Sequence, residues 1–203
     1  MKRIWLIRHG ESMAQIDDSV CGVNPDLSPY GEDQARHLKA RISQIKSDIV
    51  LLSPLTRAWR TYLLSGYEAS EVAYDQRLIE SNWDIPNYYA NVLFEELPDI
   101  AKEDVSNTSS MPPQERASML LDFVLETNYS SFLLFGHWGI FMHIFNAFVR
   151  SCDNSRITTA SENTSISLLE IDDDGRRSVV FWNDSSHLNT LTSRIQTTAN
   201  SRA

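Results

Sequence analysis

Apolar residues in this chain gather into blocks with two spacings. Ile4-Trp5-Leu6-Ile7, Ile49-Val50-Leu51-Leu52 and Phe132-Leu133-Leu134-Phe135 are continuous runs. Runs of that length predict short strands buried on both faces. Elsewhere the apolar positions recur three or four residues apart. Ala35, Leu38, Ile42 and Ile45 make one such stripe, and Ala117, Leu120, Leu121 and Val124 make another. These predict a helix from Pro29 and a helix over 113–127. Ser28 suits the N-cap and Pro29 the first helical position. Ser53-Pro54 repeats that pair and predicts a second capped helix running to about Ser65. A further helix over 138–149 follows the third apolar run. Val72-Ala73-Tyr74-Asp75 reads as a short strand. Residues 165–171 and 178–182 read as two more, joined by an Asp172-Asp173-Asp174-Gly175 turn.

Strands alternating with helices imply an α/β fold. The expected architecture is a three-layer sandwich, with a mostly parallel central sheet, helices on both faces and an antiparallel edge strand. Residues 11–30 are polar and broken by Gly22, Pro25 and Pro29, and read as a long functional loop. Residues 81–112 read as a partly helical insertion over the sheet edge. They hold Trp83, Tyr88 and Tyr89, then an acidic segment, then a stretch rich in Ser, Asn, Thr and Pro. One domain is expected over 1–188, followed by a polar tail over 189–203.

Composition narrows the partners. The 203 residues carry a net charge of −9, with 42% hydrophobic and 22% charged positions. That balance suits a soluble globular protein and argues against general binding to nucleic acid or to an anionic membrane. It still permits a small anionic ligand in a locally positive pocket. Arg8 interrupts the N-terminal apolar run, so no signal peptide is expected. Gly136, His137, His143 and Asn146 make residues 132–149 too polar for a membrane span. A cytoplasmic location is expected. Cys21 and Cys152 form no motif.

Chemistry collects at the ends of the three apolar runs. The first ends in Arg8-His9-Gly10, the second leads to Arg57 within Ser53-Pro54-Leu55-Thr56-Arg57-Ala58, and the third ends in Gly136-His137-Trp138-Gly139. In a parallel sheet all three would project from the carboxyl edge, where ligands bind. Arginine offers a planar fork of donors to phosphate oxygens, and a neutral imidazole offers a nucleophilic nitrogen. No metal-ligand spacing accompanies them, so neither a metal nor another cofactor is expected.

At this point the chain resembles the histidine phosphatase superfamily, in its phosphoglycerate-mutase-like branch. The resemblance rests on Arg8-His9-Gly10-Glu11-Ser12, Leu27-Ser28-x-x-Gly31-x-x-Gln34-Ala35 and Ser53-Pro54-Leu55-x-Arg57-Ala58-x-x-Thr61. Leu78-Ile79-Glu80, Gly136-His137-x-Gly139, Asn163-Thr164-Ser165-Ile166 and 183–188 complete the series in order. It implies a metal-independent phosphomonoesterase in which His9 becomes a phosphohistidine. Arg8, Arg57 and His137 would clamp the phosphoryl oxygens, and Glu80 would protonate the leaving oxygen. Ser12, Gln15 and Trp138 are candidate substrate contacts. Gln15 stands where the family often has Asn, and Ser81-Asn82-Trp83-Asp84 departs from the family pattern after Glu80. A small phosphorylated substrate is implied, and the oligomeric state is not. The alternatives are a phosphoglycerate mutase-type phosphotransferase and a non-catalytic phosphate-binding scaffold. Outside the motifs, His37 is expected to face solvent, His143 to sit in the core and His187 to make a structural hydrogen bond. Arg60 is expected mainly at the surface.

Overall fold

The computed structural model describes residues 1–17, 19–20, 24–81, 111–151, 157–189 and 191. The insertion expected over 81–112 and the tail expected over 189–203 lie almost wholly outside these residues.

The three apolar runs form strands β1 (Lys2–Arg8), β2 (Ile49–Leu52) and β4 (Ser131–Gly136). With β3 (Val72–Tyr74), β5 (Ile166–Ile171) and β6 (Arg177–Asp184) they make a six-stranded sheet in the order β3-β2-β4-β1-β5-β6. The first four strands run parallel. β5 is antiparallel to β1, and β6 is antiparallel to β5. The antiparallel addition is therefore a hairpin, and its outer strand runs the same way as β1.

Side chains alternate across the sheet and divide the core in two. Ile4, Leu6, Ile49, Leu51, Phe132 and Leu134 face one side. There they meet Ala117, Leu120, Leu121 and Val124 of the helix Pro113–Glu126 and Ile140, Phe141 and Ile144 of the helix Trp138–Phe148. Ile7, Val50, Leu52, Leu133 and Phe135 face the other side, against Leu38 and Ile42 of the helix Pro29–Ile42. In chain order the helices are α1 (Met13–Ile16), α2 (Pro29–Ile42), α3 (Thr56–Ser65), α4 (Pro113–Glu126) and α5 (Trp138–Phe148). Among the described residues no helix is long and apolar enough to cross a membrane.

Register places the chemistry. Arg8 pairs with Gly136 and Leu52 with Phe135. The pairing continues past the strands, since His9 N donates to Gly136 O at 3.0 Å and Ser53 N to Phe135 O at 2.9 Å. His9, Ser53 and His137 therefore leave the sheet side by side.

The helix starts divide. Ser28 caps α2 as expected, accepting from Gly31 N at 2.9 Å. Ser53 does not cap α3, which begins at Thr56 behind Leu55. Two intervening residues place the Ser53 side chain outside capping reach. Asn24 caps α3 from the loop instead, accepting from Thr56 N at 2.6 Å and donating to Thr56 Oγ1 at 2.9 Å.

The start of α2 is latched to the segment after β1. Ser28 N donates to Glu11 O, Ser28 Oγ to Glu11 Oε1, and Glu11 N to Gln34 Oε1, all at 2.7–2.8 Å. The two backbones touch. A Cβ on Gly31 would lie 2.0 Å from Glu11 O, and one on Gly10 would lie 2.4 Å from Gly31 O. Those contacts are with backbone, which cannot rotate away. Gly31→Ala should lower stability by about 1–3 kcal/mol, the usual cost of overpacking. A lowered midpoint in urea unfolding would show it, and an unchanged midpoint would mean that the latch relaxes freely.

Candidate active site

His9 follows the last residue of β1 and is 4% exposed. Its Nδ1 lies 2.6 Å from Gly10 O. A carbonyl only accepts, so Nδ1 carries the proton and Nε2 carries the lone pair. Arg57 Nε donates to that Nε2 at 3.3 Å, in agreement with this tautomer. Burial pushes the His9 pKa well below 6.5, and the charges of Arg57 and Arg8 push it the same way. The Gly10 bond acts in the opposite direction and is the smaller influence. The imidazole is neutral at pH 7.

The segment around His9 is held on several sides. Gly10 N donates to Thr61 Oγ1 at 3.0 Å, and Thr61 Oγ1 donates to Arg57 O at 2.6 Å. Arg57, Ala58 and Thr61 form the buried face of α3, so one helix face presents the guanidinium and braces Gly10. On the other side, Asn163 Nδ2 and Thr164 N both donate to His9 O, at 3.1 and 3.2 Å. Thr164 has φ +56°, a left-handed conformation that is costly for a β-branched residue. Thr164 Oγ1 meets His187 Nε2 at 3.0 Å, and burial brings the His187 pKa down to about 4. His187 therefore makes a structural bond that steadies a strained support of His9.

His137 is completely buried at the N-cap position of α5, its ring centroid 5.0 Å from that of His9. Its Nε2 lies 2.8 Å from Ser53 Oγ. Burial lowers its pKa well below 6.5, and the charges of Arg57, Arg8 and Arg116 add to that. Arg8 Nη1 donates to the Ser161 carbonyl. Burial lowers the Arg8 pKa, while the nearby Glu80 carboxylate favours its charged form.

Glu80 reaches the N-terminus of α5. Its Oε1 accepts from Ser81 N at 2.7 Å and from Ile140 N at 3.2 Å. Gly139 makes the approach possible, since a Cβ there would lie 2.0 Å from Ser81 Oγ and 2.3 Å from Glu80 Oε1. The glycine of Gly136-His137-Trp138-Gly139 thus clears room for the carboxylate. Arg116 fixes the same segment from beneath. Its side chain is buried, and its guanidinium donates to Ile79 O at 2.5 Å and Glu80 O at 3.4 Å.

His9 thus lies against both Arg57 and His137, with the Glu80 carboxylate near enough to favour the charged form of Arg8. The other three candidates are engaged with protein. Gln15 and Asn163 form a reciprocal amide pair at 3.1–3.2 Å. Ser12 is buried, and its N and Oγ both donate to Gln15 Oε1. Trp138 stays 39% exposed, with its indole N–H on Thr159 O at 2.6 Å. His37 is exposed and His143 is buried. Arg60 is half-buried and ion-paired to Asp26 and Glu32. Arg116 was missed in the sequence, although it shares the helical phase of Leu120 and Val124 (a charge on an apolar stripe). No group of three or more His, Cys, Asp or Glu side chains among the described residues is arranged to hold a metal ion.

The chain is similar to known proteins. Residues 4–185 match the family model described as histidine phosphatase superfamily (branch 1). A protein of Hydrogenobacter thermophilus provisionally named phosphoserine phosphatase 2 is 28% identical over 151 residues, covering 68% of this chain and 74% of the relative. An adenosylcobalamin/alpha-ribazole phosphatase of Escherichia coli is 43% identical over 60 residues, which is 29% of this chain and 30% of the relative. Two solved structures share the fold. Phosphoserine phosphatase from Entamoeba histolytica superposes with TM-score 0.65 at 20% identity, covering 93% of this chain and all of that one. YhfR from Bacillus stearothermophilus superposes with TM-score 0.70 at 19% identity and the same coverage.

The depressed histidines carry a consequence for stability. Below pH 6.5 the unfolded chain takes up protons at His9, His137 and His187 that the folded chain refuses, down to about 4 for His187. Stability should therefore fall as pH is lowered from about 6.5 to about 4. Urea midpoints at pH 7 and pH 5 test this, and equal midpoints would mean that the buried imidazoles protonate in the folded state.

Proposed function

The chain belongs to the histidine phosphatase superfamily (branch 1), and on that premise we propose that it hydrolyses a small phosphomonoester through a phosphohistidine on His9, without a metal ion. The observation that carries this reading is the state of His9. It is buried and neutral, with its proton spent on Gly10 O and its Nε2 lone pair directed toward Arg57.

In the first step His9 Nε2 attacks phosphorus. A P–N bond forms and the P–O bond to the leaving group breaks. The imidazole gains positive charge as it is phosphorylated, and the Gly10 carbonyl already accepts from Nδ1–H, where that charge develops. Arg8 and Arg57 supply fixed positive charge for the phosphoryl oxygens, the contribution that dominates phosphoryl transfer. Charge-assisted hydrogen bonds of this kind are worth roughly 1.5–3 kcal/mol each. Glu80 gives its proton to the departing oxygen. In the second step its carboxylate takes a proton from water, the water oxygen attacks phosphorus, and the P–N bond breaks. Glu80 Oε1 is occupied by backbone donors, which leaves Oε2 to carry the proton.

Relatives named phosphoserine phosphatase and adenosylcobalamin/alpha-ribazole phosphatase support a small phosphorylated metabolite as substrate. His9→Ala should reduce turnover of an aryl phosphate, in the presence of a chelator, to below about a thousandth of wild type. Chelator-sensitive turnover, or turnover that survives in His9→Ala, would refute the reading. Glu80→Gln should separate substrates by leaving group. An alkyl phosphate should lose about a hundredfold to a thousandfold, and 4-nitrophenyl phosphate about tenfold or less, because its leaving group departs without a proton. Equal losses on both would remove Glu80 from the role of acid.

A further inference from the structure

Ser53 Oγ and the His137 ring form a buried pair whose hydrogen positions can be worked out. Ser53 is completely buried, so its hydroxyl proton needs an acceptor. Leu55 N–H points at Ser53 Oγ from 3.4 Å and occupies a lone pair there. The partner left to receive the Ser53 proton is His137 Nε2, 2.8 Å away. A neutral imidazole that accepts at Nε2 carries its proton on Nδ1. His137 Nδ1 is buried and has no hydrogen-bond partner among the described residues. An orphaned buried donor is costly and calls for an explanation. Here it belongs to a ring that stands beside His9 and under the influence of Arg57 and Arg8.

We propose that Ser53 is a positioning residue, whose hydroxyl donates to His137 Nε2 and thereby fixes Nδ1–H as the donor offered to a phosphoryl oxygen of the substrate. The phosphoryl part rests on the reading of the site as a phosphomonoesterase, and the tautomer itself does not. Reversing the bond shows what Ser53 contributes. If Nε2 carried the proton and donated to Ser53 Oγ, the serine proton would be stranded in a dry interior. Nδ1 would then present a lone pair to the phosphate oxygens, which repels where attraction is needed. A serine at the end of β2 therefore sets the polarity of a ring on the end of β4. The cap-like Ser53-Pro54 start, which does no capping here, is used for that purpose.

The test is the ring tautomer of His137 in the full-length protein, read by long-range 1H–15N correlation at pH 7. The signal is assigned by its loss in His137→Asn. The expected spectrum has a protonated Nδ1 and an unprotonated Nε2, with Nδ1 moving when inorganic phosphate is added. A proton on Nε2, an imidazolium, or an Nδ1 unmoved by phosphate that shifts His9 would overturn the proposal. In Ser53→Ala the two tautomers should mix, and kcat/KM for an aryl phosphate should fall roughly tenfold, mostly in kcat. A pure Nδ1–H tautomer in folded Ser53→Ala would show that Ser53 does not set it. The wild-type spectrum decides the tautomer even if the variant fails to fold. It also needs no turnover, so its outcome is separable from that of the hydrolysis assay.

Discussion

The hydrogen bond from His9 Nδ1 to the Gly10 carbonyl is the constraint on which the rest of the site depends. It spends the imidazole's one proton on the side facing away from Arg57, so the lone pair must face the cations. A guanidinium beside a protonated imidazole would repel it, and a guanidinium beside a lone pair is attracted to it. Burial first, and then the two arginines that on the proposed reading serve a phosphate, keep His9 neutral. Much of the surrounding structure can be understood as holding that bond in place. Thr61 secures Gly10 N, Asn163 and Thr164 secure His9 O, and α2 latches the chain onward from Glu11.

Such a site is costly to stability, because it buries neutral histidines, cations and a left-handed threonine at one sheet edge. The sheet beneath it is correspondingly plain. β2 and most of β4 are buried along their whole length, and their side chains alternate between two separate apolar clusters. Parallel pairing of β1, β4 and β2 in fixed register converts that core into a rigid mount, on which three strand ends stand side by side. Positioning then passes to short-range contacts in which glycine matters because of what it omits. Gly31 admits the Glu11 backbone, and Gly139 admits the Glu80 carboxylate.

The alternation of strands and helices was legible in the sequence because each buried element is apolar in its own period. The α/β class, the placing of three strand ends at one sheet edge and the capped start of α2 all followed from that. Other features were invisible to patterning. Ser53-Pro54 looks like a helix start in sequence, and only the backbone shows that α3 begins two residues after the proline and takes its cap from Asn24. Arg116 was hidden because a charge on an apolar stripe reads as noise until its partners, the carbonyls of Ile79 and Glu80, are brought over it. Gln15 was a candidate by motif position alone, and the pairing of its amide with Asn163 could not be read from the sequence. Long-range hydrogen bonds of this kind join residues far apart in the chain, and no local spacing encodes them.

The central claim is that His9 attacks through Nε2, and the most direct measurement is the site of the phosphoryl group on a trapped intermediate. Wild-type protein would be quenched under alkaline denaturing conditions during turnover of an aryl phosphate, and the phosphopeptide examined by 31P and 1H–15N NMR. The account predicts an acid-labile phosphoryl group on Nε2 of His9. A phosphoryl group on Nδ1, on another residue, or on no residue while turnover proceeds would contradict it.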